Sequence, residues 1–151
     1  MGLYPPPMKQ RHPKWKLLDH PADIRIEVYG KNLEDLFLNA ADGLGKLLTG
    51  SIKVSDSQIE KILALESDSF DDLLVDWLRE ILFLFNSERF ILRKASLKIS
   101  EGISLDSTLF GSILDPSLEL EDGLEIKGVT YHGLLLEEGF DGFVAQVIFD
   151  I

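Results

Sequence analysis

Residues 22–50 read ADIRIEVYGKNLEDLFLNAADGLGKLLTG, and this stretch determines the kind of fold that the chain adopts. Residues 22–30 alternate apolar with polar side chains, which predicts a half-buried strand whose buried face carries Ile24, Ile26 and Val28. Asn32 then caps a helix that ends at Gly50, because apolar residues recur between them at helical spacing. A strand followed directly by an amphipathic helix indicates mixed α and β structure.

The remainder of the chain extends the same pattern. Ser69 followed by Asp72 is a capping signal for a second helix, whose apolar stripe runs through Trp77 to Phe85. Five further strands are predicted over 59–66, 90–99, 103–114, 124–137 and 140–151, with a hairpin connection at Glu138-Gly139. We therefore predict an α+β domain with two amphipathic helices packed on a mostly antiparallel sheet.

The composition is that of one globular domain. The chain has 151 residues, of which 45% are apolar, so a single core can sustain it. We expect a flexible, basic, proline-rich tail over residues 1–14 and a single domain over residues 15–151. There are no cysteines, which excludes disulfides and thiolate metal sites. No apolar run approaches a membrane span and no signal peptide is evident, so a soluble cytoplasmic protein is expected.

The charge distribution narrows the classes of partner. The net charge is −11, and beyond Lys98 eleven acidic residues face one basic residue, Lys127. Because affinity for a phosphate backbone comes mainly from Lys and Arg, strong direct nucleic-acid binding is not expected. An acidic protein can instead dock on a basic enzyme by charge complementarity, although an acidic balance also simply keeps a protein soluble.

Two distant segments offer candidate metal ligands. Asp23 follows His20 at the entry to the first strand, and Asp150 and Ile151 close an alternating strand at the other end of the sequence. The Asp150 carboxylate and the Ile151 α-carboxylate would repel one another unless one is protonated or a cation sits between them. With Asp23 as a further oxygen donor, such a site suits calcium or magnesium better than zinc. The alternative is three separate solvated carboxylates, which spacing alone favours.

Lys127 is a candidate of a different kind. It lies in the segment EIKGVTYHG, residues 125–133, where strand alternation gives both faces a mixture of polar and apolar groups. Lys127 could pair with a carboxylate or hold a phosphate-bearing partner. Equally, it could be an ordinary charge on the edge of a sheet.

In their order and spacing, four segments together resemble the archease family over about residues 16–151. Each motif is short, but the set is specific: His20-x-Ala22-Asp23-Ile24, Leu73-Leu74-Val75-x-Trp77-Leu78-x-Glu80, Glu125-Ile126-Lys127-x-Val129-Thr130-Tyr131-His132 and Val147-Ile148-Phe149-Asp150-Ile151.

The resemblance implies a two-layer α+β domain that activates an RtcB-type RNA ligase in tRNA splicing or RNA repair. Such a protein helps the ligase to load guanylate onto its own histidine and to turn over, and is not itself an enzyme. The family's metal ligation, usually of calcium and with magnesium or manganese as alternatives, falls here on Asp23, Asp150 and the α-carboxylate of Ile151. The lysine linked to ligase activation corresponds to Lys127.

Two other classes of function remain open at this point. One is a metal-dependent phosphoester hydrolase, with Asp23 and Asp150 holding the cation and His20 or His132 as the base. The other is a general chaperone-like interaction domain without a metal. The sequence does not determine the oligomeric state.

Overall fold

Seven strands and two helices make up the part of the chain that the structure describes. The computed structural model covers residues 13–18, 23–53 and 58–151, with His132 described by its backbone only. The elements are β1 (Trp15–Leu18), β2 (Ile24–Gly30), α1 (Leu33–Thr49), β3 (Ile59–Glu66), α2 (Phe70–Glu88), β4 (Phe90–Ser100), β5 (Ser104–Ile113), β6 (Gly128–Gly139) and β7 (Gly142–Asp150). Residues 1–12 of the predicted tail lie outside the described residues. Lys14, the last residue of that predicted tail, is bonded to the sheet, because its carbonyl accepts a hydrogen bond from the Tyr29 N–H at 3.1 Å.

Both helices begin at their predicted caps. The Asn32 side chain accepts a hydrogen bond from the Asp35 N–H at 2.8 Å, and the Ser69 hydroxyl accepts one from the Asp72 N–H at 3.0 Å. Each cap satisfies a backbone donor that the first helical turn leaves unpaired. α1 is closed by Gly50, whose φ of 61° favours glycine.

The strands confirm the predicted α+β class but divide into two antiparallel sheets rather than one. The four-stranded sheet has the order β1-β2-β7-β6, and the three-stranded sheet has the order β3-β5-β4. β6 is an edge strand of the four-stranded sheet. At its beginning Arg79 and Asn86 of α2 donate to the carbonyls of Val129 and Ile126, so helix side chains and not a further strand satisfy these two groups.

The core lies where the two helices meet both sheets. α1 contacts β2 and β4, and α2 contacts β6 and β4. Trp77 is fully buried, as its place on the apolar stripe predicts, and its Nε1–H donates to the Phe37 carbonyl at 2.9 Å. Within the described residues, no helix is long and apolar enough to cross a membrane.

The predicted strand over residues 124–137 is wrong at its beginning and irregular inside. β6 starts only at Gly128, because the ladder with β7 begins at the pair of Gly128 and Asp150. Thr130 then pairs with Ile148 and Leu135 with Gln146, so residues 131–134 form a bulge opposite one residue of β7. The predicted hairpin between β6 and β7 is present, but its two turn residues are Phe140 and Asp141, because the predicted connection Glu138-Gly139 still belongs to β6 and pairs with β7.

A second correction concerns the outer face of β2. The alternation of residues 22–30 predicts a half-buried strand, yet Glu27 and Tyr29 on the polar face are only 8% and 5% exposed. β2 lies inside the four-stranded sheet, and Glu27 is held by the Tyr29 hydroxyl, by the Gln146 amide at 2.8 Å and by the Lys16 ammonium at 3.4 Å. The polar residues of the pattern therefore build a buried network rather than a solvated face.

Candidate site at one end of the four-stranded sheet

The sheet register brings the two predicted aspartates to the same end of neighbouring strands. β2 and β7 are antiparallel neighbours, and Ile24 pairs with Phe149. Asp23 immediately precedes Ile24, and Asp150 and Ile151 immediately follow Phe149. Two segments more than a hundred residues apart in the sequence thus converge at one end of the sheet.

Lys127 lies at this end as well. Its backbone N–H donates to the Asp150 carbonyl at 2.7 Å, and the next residue, Gly128, pairs with Asp150 in the β6–β7 register. The Asp150 carboxylate lies beside Gly128, where an added Cβ would be 3.4 Å from Oδ2. The side chains of Lys127, Asp150 and Ile151 are all exposed. The basic and acidic candidates therefore share one accessible surface.

The donors at this end suit a hard cation in chemical type. Asp23 and Asp150 supply carboxylate oxygens, which calcium and magnesium prefer. Within residues 13–18, 23–53 and 58–151, no three histidine or acidic side chains gather closely enough to hold a metal ion. His20 lies outside the described residues, as does the side chain of His132, so the structure positions neither predicted base.

Helix α2 supplies two further residues, Arg79 and Asn86, which no sequence motif indicates. The Arg79 guanidinium donates to the Val129 carbonyl through Nε at 3.1 Å and through Nη2 at 2.8 Å. Asn86, seven residues further along the helix, donates to the Ile126 carbonyl at 3.3 Å. The two contacts flank Lys127 on either side. An arginine and an asparagine on the exposed side of a helix carry no sequence signal for this role, although their seven-residue separation places them on one helical face.

Tyr131 completes this part of the surface. Its ring lies over the Arg79 guanidinium at 4.8 Å, and 44% of the residue is exposed. Burial of the phenol raises the pKa of Tyr131 above its usual value, the carboxylates of Asp76 and Asp72 raise it further, and Arg79 opposes them. The phenol is therefore neutral at physiological pH, and the ring presents a planar surface beside a cation.

Lys127, Asp150 and Ile151 at the candidate site are exposed to solvent. A cavity of about 450 Å³ lies elsewhere, between α1 and β4, and its lining includes Asp42, Lys46 and Arg93. None of the residues at the end of the four-stranded sheet lines that cavity. An exposed surface with both charge signs can engage a macromolecule without enclosing a small substrate.

Comparison with known proteins gives a consistent result. Residues 15–151 match the model of the family described as "Archease protein family (MTH1598/TM1083)". The chain is 35% identical over 149 residues to protein archease from Methanosarcina barkeri, an alignment that covers 95% of this chain and 100% of the relative. It is 32% identical over 136 residues to protein archease from Pyrobaculum neutrophilum, covering 88% and 92% of the two chains.

Solved structures agree with these relatives. The solution structure of protein 1598 from Methanobacterium thermoautotrophicum matches with a TM-score of 0.75 and 28% identity, covering 91% of this chain and 99% of that one. A crystal structure from Thermotoga maritima, described as an archease and possible chaperone, matches with a TM-score of 0.63 and 28% identity, covering 90% of this chain and 96% of that one.

Proposed function

Because the chain belongs to the archease family, we propose that it is a protein cofactor that activates an RtcB-type RNA ligase. In this role it promotes guanylate loading of the ligase and its turnover, in tRNA splicing or RNA repair, without catalysing a reaction itself. We place this activity in the cytoplasm. The observation that carries the proposal is the exposed surface on which Lys127 lies beside Asp150, since their backbones are joined by a hydrogen bond of 2.7 Å.

Lys127 is the residue that we assign to ligase activation. Its ammonium projects from an accessible surface of an otherwise acidic part of the chain. A lysine is a compact charge on a long stem, which suits contact with a phosphate or carboxylate of a partner. The net charge of −11 supports docking on a basic, RNA-binding enzyme rather than direct binding of RNA.

A metal ion is the second component of the proposal. Asp23, Asp150 and the α-carboxylate of Ile151 would hold it, with calcium preferred over magnesium or manganese. When bound, the cation supplies positive charge that offsets the mutual repulsion of the carboxylates. Because Asp23 immediately precedes β2 and Asp150 is the last residue of β7, their ligation would fix that end of the sheet, and with it the carbonyl to which Lys127 is bonded.

A multiple-turnover ligation assay with a cognate ligase tests the proposal. Wild-type protein should increase the rate of ligation, and Lys127→Ala should reduce that increase by about tenfold or more, as expected for a lost charge-assisted contact. Lys98→Ala is the matched control, because Lys98 is an exposed lysine of β4 in the other sheet. Full stimulation by a folded Lys127→Ala variant would contradict the assignment.

The hydrolase alternative has its own test. Purified protein alone should not turn over phosphoester substrates in the presence of calcium, magnesium or manganese. Metal-dependent turnover that Asp23→Ala abolishes would replace the activator proposal with an enzyme.

A further inference from the structure

We infer that Arg79 and Asn86 of α2 are positioning residues for Lys127. The inference rests on the proposed function, because it concerns how the side chain assigned to ligase activation is held in place. Neither residue needs to touch the partner.

The segment that carries Lys127 has little regular structure of its own. Residues 124–127 precede the first residue of β6, and β6 is an edge strand with β7 on one side only. The N–H of Lys127 is bonded to Asp150, and Gly128 follows directly. A lysine side chain has high rotational entropy, so if its backbone also moved, placing the ammonium at a partner's reacting group would cost still more.

Helix α2 restricts the backbone around Lys127 through hydrogen bonds from two of its side chains. Asn86 holds the carbonyl before Lys127 at 3.3 Å, and Arg79 holds the Val129 carbonyl with two donors at 3.1 and 2.8 Å. The side chains of Ile126 and Val129 are 1% and 2% exposed, so both ends of the segment are also anchored in the core. Lys127, the exposed residue between the anchors, is presented outward from a clamped backbone.

Arginine is chemically suited to this position in a way that lysine is not. Two N–H groups of one planar guanidinium reach a single carbonyl, and the same plane lies 4.8 Å from the Tyr131 ring centre. Lysine could supply one of these donors but neither the second, fixed donor nor the stacked plane. Arg79→Lys therefore loosens the clamp while keeping the charge.

The competing explanation is purely structural. An edge strand has unpaired carbonyls, and side chains from a helix can satisfy them without any role in activation. In that case Arg79→Lys lowers stability, but the folded variant activates a ligase as well as wild type does.

The first measurement needs no ligase. Amide hydrogen exchange should show the Lys127 N–H exchanging faster in Arg79→Lys by about fivefold or more, which is what loss of one ordinary hydrogen bond gives. Amides of β5 should be unchanged. Arg89→Lys is the matched control, because Arg89 also donates to a carbonyl, that of Leu118 at 2.9 Å, and lies 5.8 Å from an aromatic ring. Unaltered exchange at Lys127 would overturn the inference.

The second measurement is activation of a cognate ligase as a function of the concentration of this protein. Arg79→Lys should lower the maximal activated rate about fivefold, while the half-activating concentration stays within about twofold. The Arg79→Lys/Lys127→Ala double variant should be no slower than Lys127→Ala alone, since both changes disable one element. A raised half-activating concentration at full maximal rate would mean that Arg79 contacts the ligase directly and would overturn a positioning role.

The outcomes separate this inference from the function on which it rests. If Lys127→Ala loses activation and Arg79→Lys keeps it, the positioning role is wrong and the proposed function stands. If Lys127→Ala itself activates fully, the assignment of Lys127 is wrong, and the positioning role in activation falls with it, whatever the exchange rates show.

Discussion

The two sheets of this protein differ in how side chains are buried along their strands. In the three-stranded sheet burial alternates along the strands, most regularly in β3, so one face meets the helices and the other meets solvent. In the four-stranded sheet the inner strands β2 and β7 lose this alternation, because side chains on both of their faces are buried. Among the described residues, Asp23, Lys127 and Asp150 lie at one end of the four-stranded sheet. The candidate site therefore lies at the sheet whose burial pattern is irregular.

The strand irregularities show the same difference. β4 shifts register once, between Leu92 and Lys94, so a single residue is extra. β6 places residues 131–134 opposite one residue of β7, and this larger bulge begins four residues after Lys127. Bulges re-aim side chains near functional sites, and here the bulge brings the Tyr131 ring over Arg79.

The largest predicted effect follows from removing Trp77 of α2, the helix that contacts both sheets. Trp77→Ala should lower the free energy of unfolding by roughly 3–5 kcal/mol, because a fully buried indole and its hydrogen bond to the Phe37 carbonyl are lost. Thermal or denaturant unfolding measures this. Phe83→Ala is the control on the same helix, since Phe83 is 62% exposed and its loss should change stability by about 0.5 kcal/mol or less. An unchanged midpoint for Trp77→Ala would mean that the helix does not support both sheets.

The second prediction concerns one sheet only. Calcium at 100 times its dissociation constant should stabilise the chelator-stripped protein by about 2.7 kcal/mol. Asp150→Asn, or one glycine added after Ile151, should remove most of this gain, because each takes a charged oxygen donor from the site. Amide exchange should slow at the Lys127 end of β6 and not in β5. A full calcium-dependent rise in the C-terminally extended protein would contradict the α-carboxylate as a ligand.

A matched pair of glycines sharpens the comparison further. Gly133→Ala strains a residue with a φ of 75° and crowds Ile148, whereas Gly111→Ala drives a Cβ into the Ile91 carbonyl of β4. Each should cost about 1–3 kcal/mol. Residue-resolved exchange should show β6 opening in the first variant and β4 with β5 opening in the second. Opening of both sheets in either variant would mean that they unfold as one unit.

The smallest predicted effect lies in the connection between the two sheets. The Ser51 N–H donates to the Asp122 carboxylate at 3.0 Å and lowers the pKa of Asp122 below its usual 3.8. A lowered pKa contributes stability that is present above pH 3.8 and is lost as the pH falls through the folded-state pKa. Asp122→Asn should therefore be slightly less stable at neutral pH and converge with wild type in acid. Thermal midpoints measured as a function of pH test this, and an equal acid loss in both proteins would contradict it.

Local sequence signals predict the elements of this fold well. The caps Asn32 and Ser69 mark the helix starts, and the bounds of β3 are as predicted, because these features depend on neighbouring residues alone. The division into two sheets could not be predicted in this way. Glu27 and Gln146 are paired across 119 positions, and no local pattern states which distant strand a residue will join.

The candidate site, too, depends on the pairing of distant strands, which local sequence signals do not predict. Spacing alone favours separate carboxylates, and only the family resemblance places Asp23 and Asp150 in one site; the register shows that their strands β2 and β7 are neighbours, as such a site requires. The backbone around Lys127 was not predicted, because no residue in 124–127 carries a signal that ends a strand, and only the pairing with β7 shows that β6 begins at Gly128. Arg79 carried no signal, since an arginine on the exposed side of a helix is ordinary.

The central place of β7 has a consequence for how the protein is made. Every element of the three-stranded sheet lies within residues 59–113, so that sheet can form once this stretch has left the ribosome. β2 is synthesised early but is flanked on one side by the last strand, and until β7 emerges it presents an open edge bearing Ile26 and Val28. Nascent or truncated chains that lack β7 can thus combine a formed three-stranded sheet with an exposed, aggregation-prone edge on β2. Because β7 brings Asp23, Lys127 and Asp150 to one end of the sheet, a chain that lacks β7 does not assemble the candidate site.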